Sequence, residues 1–234
     1  MNWVECESQR QASHEGVRVL RSVVADKPNA HLVLATGASP TELYALFAES
    51  VRREGIDCSR LLITCLDEWW GLPEGAEGTC SAYLQEHVIE PWGCNPVKFL
   101  TYEIGLPTPE EARDTFSAAF LRRGSPDLCI LGIGKNGHIG LNEPAETFSS
   151  SVHVAILTPT TRLHAMVAGL PAQPDRGISL GCGDILGSKR ILCLAVSHQK
   201  QEALAQLRTG IVSPDWPCTL LLRHGDATLL TWPD

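Results

Sequence analysis

No stretch of this sequence is both uncharged and apolar for the length needed to cross a bilayer, so no membrane-spanning helix is expected. The N-terminal residues Met1 to Arg21 mix Glu5, Glu7, Arg10, His14, Glu15 and Arg18 with apolar residues, and so lack the uncharged core of a secretory signal. Excess positive charge is also missing: 19 Lys and Arg stand against 27 Asp and Glu, a formal net charge of -8. A field of that sign repels a polyanion, which argues against a nucleic-acid partner yet permits a basic pocket holding one small anion. No C-x-x-C pair occurs among the nine cysteines, which are odd in number and scattered. That pattern predicts reduced thiols in a cytoplasmic protein, with neither disulfides nor structural zinc. Repeats, low-complexity tracts and linkers are lacking too. At 234 residues and 44% hydrophobic content, a single domain over 1–234 is expected.

What is present is a recurrence of short Val-, Ile- and Leu-rich runs separated by helical patterns. Strands are predicted over His31–Ala35, Leu61–Cys65, Val97–Leu100, Asp127–Leu131, Val152–Leu157, Gly177–Leu180 and Arg190–Val196. A terminal pair, Thr219–Leu222 and Thr228–Thr231, brackets His224-Gly225-Asp226 and predicts an antiparallel hairpin at the sheet edge. Helices are predicted over Glu5–Ala25, Ser81–Ile89 and Gln199–Arg208. Two more are announced by start signals. Thr108-Pro109-Glu110-Glu111 supplies a capping hydroxyl, a proline at the first helical position and a glutamate three residues after the cap, and Ser39-Pro40-Thr41-Glu42 repeats the pattern. The alternation predicts an α/β fold: a Rossmann-like three-layer sandwich with a mostly parallel central sheet and a small antiparallel edge hairpin. In such sheets ligands bind beyond the carboxyl ends of the strands, so the residues leaving each strand carry the functional information.

Three strand exits stand out. In the first, Thr36, Gly37, Ala38, Ser39 and Thr41 form a small-residue turn opening a helix, where free backbone N–H groups and the helix dipole suit an anion. An ordinary tight turn is the competing reading. The turn lacks the lysine of a nucleotide P-loop, so a monophosphate suits it better than a triphosphate. The second exit, Asp67-Glu68-Trp69-Trp70, places two acids beside two tryptophans. One acid could serve as a general base, or the segment could be a solvated acidic turn. Adjacent residues on an extended chain point opposite ways, which selects Asp67 for the ligand side and Glu68 for structure. The third exit, Gly132-Ile133-Gly134-Lys135-Asn136-Gly137-His138-Ile139-Gly140-Leu141-Asn142-Glu143-Pro144, satisfies G-x-G-x-x-G in letters but not in context. Gly140 and Pro144 interrupt any following helix, and no acid lies at 152–158 to hold a ribose. It reads instead as a loop presenting His138, with Glu143 able to orient the imidazole.

These exits, in this order, resemble the glucosamine-6-phosphate deaminase and 6-phosphogluconolactonase family over nearly the whole chain. L-D-E-W, the G-T-C at 78–80, D-L-C-I-L-G-I-G-K-N-G-H-I-G-L-N-E-P and R-G-I-S-L-G-C-G-D-I-L are most similar to its galactosamine-6-phosphate isomerase branch. The resemblance implies a small sugar-phosphate substrate and no cofactor or metal. It implies that Asp67 shuttles a proton between C2 and C1, that His138 opens the sugar ring, and that Glu143 supports His138. It further implies that Thr36 to Thr41 and Lys200, in Ser197-His198-Gln199-Lys200, hold the phosphate. Two departures are visible. Asn136 stands where most relatives carry aspartate; its amide can still hydrogen-bond the imidazole but brings no negative charge to it. The arginine that helps grip phosphate in such deaminases has no clear counterpart after Thr160-Thr161, leaving Arg162 or Arg176 as substitutes.

Three other readings share these residues. A lactonase would use the same fold and phosphate loop, although Asn142-Glu143-Pro144 favours deamination. A non-catalytic sugar-phosphate-binding protein would use the cleft alone. A metal site from Asp67, His138 and Glu143 lacks a close His or Cys pair to support it. The sequence is compatible with a homo-oligomer and does not select the substrate epimer.

Overall fold

The computed structural model describes residues 1–73, 76–163, 167, 170, 173–196 and 198–233. Ser197, part of the lysine-bearing motif, lies outside them. Ten strands are described: β1 (Asn2–Glu5), β2 (His31–Leu34), β3 (Leu62–Cys65), β4 (Asp67–Trp70), β5 (Phe99–Leu100), β6 (Leu128–Gly132), β7 (His153–Ile156), β8 (Arg176–Ser179), β9 (Ile191–Val196) and β10 (Ala227–Trp232). Seven form one sheet in the order β1-β10-β9-β6-β2-β3-β5, with every neighbouring pair parallel. Its central strands are apolar without alternation because helices or a second sheet cover both faces; every residue of β2 is buried.

Right-handed crossovers decide which element covers which face. From β1 to β2 and from β2 to β3 the chain moves toward β5, so helix α1 (Gln9–Asp26) and helix α2 (Ala38–Glu54) share one face and pack together. From β5 to β6, and from β9 to β10, it moves the other way. That places Pro109–Arg123 and Gln201–Arg208 on the opposite face. A separate antiparallel sheet, β4-β8-β7, joins the layer containing Pro109–Arg123, which packs against β7 and β8. The α/β class and the parallel central sheet match the expectation.

Several details differ from it. The expected edge hairpin is absent from these residues: Pro217–Arg223 is a 3₁₀ helix, and β10 runs parallel between β9 and β1. Thr219, Leu220 and Leu221 are all buried, and a continuous apolar run does not reveal by its pattern whether it is strand or helix. Pro217 supports the helical choice at the first turn. Strands β7 and β8 exist close to their predicted limits but belong to the small sheet, together with the unpredicted β4. The N-terminal residues form β1 before α1 starts behind Ser8, whose hydroxyl accepts from the Gln11 N–H at 3.2 Å. Ser39 does not cap α2. The helix begins at Ala38 behind Gly37, which has φ 100 and no side chain to offer. Thr108 caps Pro109–Arg123 as expected, accepting from Glu111 N–H at 3.2 Å. All nine cysteines are free and buried. Among the described residues no helix is long and apolar enough to cross a membrane.

Candidate functional site

In the main sheet the connections leave β2 and β6 in opposite directions, so the loops following these adjacent strands part and leave a crevice at their carboxyl ends. A cleft of about 1170 Å³ occupies it. The exits of β2, β3, β6 and β9 all reach it: Thr36, Gly37, Ala38 and Ser39 from the first, Asp67 from the second, Lys135 and His138 from the third, Gln199 and Lys200 from the fourth. Chain segments more than 160 residues apart in sequence thereby share one site.

Glycine conformation shapes the turn after β2. Gly37 at φ 100 adopts a backbone that L side chains avoid, and with no capping side chain the N–H groups at the start of α2 remain available. Thr41 does not line the cleft. Its hydroxyl donates to Gly37 O at 2.8 Å and lies 2.7 Å from the Tyr83 hydroxyl, bracing the turn from behind.

The two acids of the second exit have different surroundings. Glu68 is fully buried and accepts the backbone N–H groups of Trp69 (2.9 Å), Cys80 (2.8 Å) and Ser81 (2.8 Å), fastening β4 to the start of the helix Cys80–Leu84. Burial still raises its pKa despite those three bonds. Asp67, 9% exposed, borders the cleft. Burial, and then the charge of Glu68, push the Asp67 carboxyl up to about 7, against a small opposing effect of the Cys80 thiol. Thr36 in turn donates to the Cys80 sulfur at 3.5 Å. A carboxyl poised near neutrality at the rim of a cleft is suited to take and return a proton.

The β6 loop delivers His138. Gly134 N–H donates to His138 O at 2.8 Å and Gly137, at φ 81, donates to Gly134 O at 3.0 Å, curling the chain so that the imidazole lies over Gly134. A Cβ at Gly134 would overlap the ring. Gly134→Ala is therefore expected to displace His138 and lower turnover about tenfold or more while the protein remains folded, checked by kcat alongside thermal melting.

Behind the ring lies a closed hydrogen-bond set. Asn136 Nδ2 donates to Glu143 Oε2 at 2.8 Å, which leaves Asn136 Oδ1, 2.8 Å from His138 Nδ1, to accept. The amide orientation thus assigns the proton of a neutral His138 to Nδ1 and leaves Nε2 as the acceptor. Thr161 Oγ1 stands 3.3 Å from Nδ1, and Thr158 Oγ1 donates to Glu143 Oε2 at 3.1 Å. Glu143 Oε2 is 3.7 Å from Nδ1. Burial raises the Glu143 carboxyl, but His138, Thr161 and Asn136 outweigh it and hold the group down at about 2, so Glu143 is an anion beneath the imidazole.

Asn136 and Glu143 therefore reach the cleft only through His138. Neither expected arginine lines it: Arg162 is exposed at the end of the helix Pro159–Arg162, and Arg176 sits on β8 opposite Trp70 and Ile156, with Asp175 4.0 Å away. The cleft lining thus includes neither of the arginines expected at the phosphate. Sequence reading missed Lys135, Thr158 and Thr161. The Thr158-Pro159 helix start was a legible signal for the threonines, since Thr158 accepts from Thr161 N–H at 3.4 Å. Among the described residues no three His, Cys, Asp or Glu side chains converge as a metal-binding group.

Fold and cleft together define an α/β protein with a large cleft at the switch point of a parallel sheet. The chain belongs to the family described as glucosamine-6-phosphate isomerases/6-phosphogluconolactonase, which it matches over residues 5–232. It is 34% identical over 226 residues to "Putative deaminase AgaI" of Escherichia coli (strain K12), covering 95% of this chain and 88% of that protein. It is 32% identical to the glucosamine-6-phosphate deaminase of Bacillus cytotoxicus, covering 98% and 86%. A solved monomeric glucosamine-6-phosphate deaminase of the NagB superfamily superposes with a TM-score of 0.94 at 30% identity, covering 99% of this chain and 97% of that one. The 6-phosphogluconolactonase of Thermotoga maritima, at 16% identity and TM-score 0.79, shares the fold.

Proposed function

We propose that this protein isomerises and deaminates a hexosamine 6-phosphate, galactosamine or glucosamine 6-phosphate, to a ketohexose 6-phosphate and ammonia. One observation carries the reading: a carboxyl pushed up to about 7 borders the same cleft as an imidazole whose Nδ1 is tied back to Asn136. The phosphate rests on the turn from Thr36 to Ser39 and on Lys200. His138 Nε2 accepts the C1 hydroxyl proton as the pyranose opens and returns a proton to the ring oxygen. Asp67 takes the C2 proton while O1 gains one from the C2 ammonium, giving an enolamine, and Asp67 then delivers its proton to C1, giving a C2 iminium. Water adds to the iminium and ammonia leaves. The amine and carbonyl of the substrate delocalise the developing charge, so these steps draw on no metal or organic cofactor.

The full-length relatives named as deaminases support this reading over a lactonase, whose members here share the fold at lower identity. The proposed setting is the cytoplasm, with a small sugar phosphate as partner and no nucleic acid or membrane. An assay of ammonia release from glucosamine, galactosamine and mannosamine 6-phosphates is expected to detect turnover of at least one. Acid release from a 6-phospholactone with no ammonia from any amino sugar would transfer the site to ester hydrolysis; no turnover of either kind would leave a binding protein.

A further inference from the structure

Among the described residues two lysines line the cleft, Lys200 and Lys135. Lys200 is 9% exposed, lines the cleft, and has no hydrogen-bond or ion-pair partner among the described residues. A buried ammonium without a counter-ion is costly, and burial lowers its pKa accordingly. Lys135 adds to that lowering by like charge. It too lines the cleft, is exposed, and pairs with no acid among the described residues. Lys27 and Lys189, by contrast, both grip Asp127, at 2.7 and 2.8 Å. The uncapped start of α2 borders the same volume through Ala38 and Ser39. Two unpaired ammonium groups and a helix N-terminus around one space make a lining complementary to an anion.

We infer that Lys135 is the second cation of the phosphate site, bridging the substrate's phosphoryl group together with Lys200 in place of an arginine. The geometry favours this role because Arg162 and Arg176 do not line the cleft, whereas Lys135 sits three residues before His138 on the same tight loop. A dianionic phosphate bound there would relieve the repulsion between the lysines. It would also tie the loop carrying the imidazole to the position of the substrate, so that phosphate grip and ring-opening geometry are set by one segment. The inference deepens the proposed function and rests on it for the identity of the phosphate ester, but the anion site itself can be tested without turnover.

The experiment is calorimetric titration of the purified full chain with inorganic phosphate, for the native protein, Lys135→Met, Lys135→Arg and Lys98→Met. Lys98 lies outside the cleft lining and controls for net charge. Lys135→Met is expected to weaken phosphate binding about tenfold, Lys135→Arg to restore most of it, and Lys98→Met to match the native protein. In steady-state kinetics on the turned-over hexosamine 6-phosphate, the Lys135→Met defect is expected to fall on KM more than on kcat. Unchanged phosphate affinity in Lys135→Met, or an equal loss in Lys98→Met, would overturn the inference. A protein that binds phosphate through Lys135 yet releases no ammonia from any amino sugar would sink the proposed function and leave this site standing.

Discussion

Asp67→Asn is expected to lower kcat by roughly 100- to 10,000-fold while phosphate affinity remains nearly native. The substitution keeps the size and hydrogen-bonding outline of the side chain but removes its ability to take the C2 proton. The acid limb of the native kcat/KM profile is expected to rise through about pH 7, because burial and Glu68 hold the Asp67 carboxyl there and only its ionised form is a base. Retained turnover in the variant would remove Asp67 from the mechanism. The same shift makes a stability prediction of definite sign. Between the ordinary value of 3.8 and about 7, the folded chain keeps a proton that the unfolded chain has lost, so this group's contribution favours folding least above about pH 7. An asparagine cannot ionise and escapes the effect. Asp67→Asn should therefore be more stable than the native protein at pH 8, by up to about 4 kcal/mol, and melt higher there, with most of the advantage gone by pH 4. Thermal melts at the two pH values check it, and a variant equally or less stable at pH 8 would show that the carboxylate is not held at a cost.

His138→Gln is expected to reduce kcat by roughly 100-fold or more, since an amide can hydrogen-bond the C1 hydroxyl but cannot take its proton near neutral pH. Asn136, Glu143 and Thr161 address Nδ1, which leaves the work of ring opening to Nε2. The variant should bind an open-chain amino-hexitol 6-phosphate about as well as the native protein, because that ligand has no ring to open. Equal weakening of this ligand and the pyranose would mean that His138 holds substrate rather than moving protons. Glu143→Gln is expected to cost less than His138→Gln. It removes an anion 3.7 Å from the ring but leaves Asn136 Oδ1 in place to orient Nδ1.

Much of the site was legible because its chemistry is local. A glycine-flanked histidine, a turn of small residues after an apolar strand, and an acid pair leaving another strand each announce themselves within a few residues. The alternation of Asp67 and Glu68 was legible for the same reason: neighbouring side chains of a strand face opposite ways. What each acid meets was not, since Glu68 is held by the backbone of Cys80 and Ser81, 12 and 13 residues further on. Lys135 was not legible, because a lysine in a polar loop looks like any solvated charge until the fold sets it on the same cleft as Lys200. Arg162 and Arg176 show the converse, being close in sequence to useful positions yet directed elsewhere by the helix and strand that carry them.

The sequence by itself determined the α/β class, the parallel character of the main sheet and the identity of the loops that carry chemistry, because strand and helix periodicity, capping and turn residues act over a few positions. Only the tertiary structure decided that β4 leaves the main sheet to pair with β8, Asp67 opposite Ser179, and that Pro217–Arg223 is helical while β10 joins β1 in parallel. Those choices rest on pairings between segments more than a hundred residues apart, whose free energy depends on what each apolar run meets when the layers close.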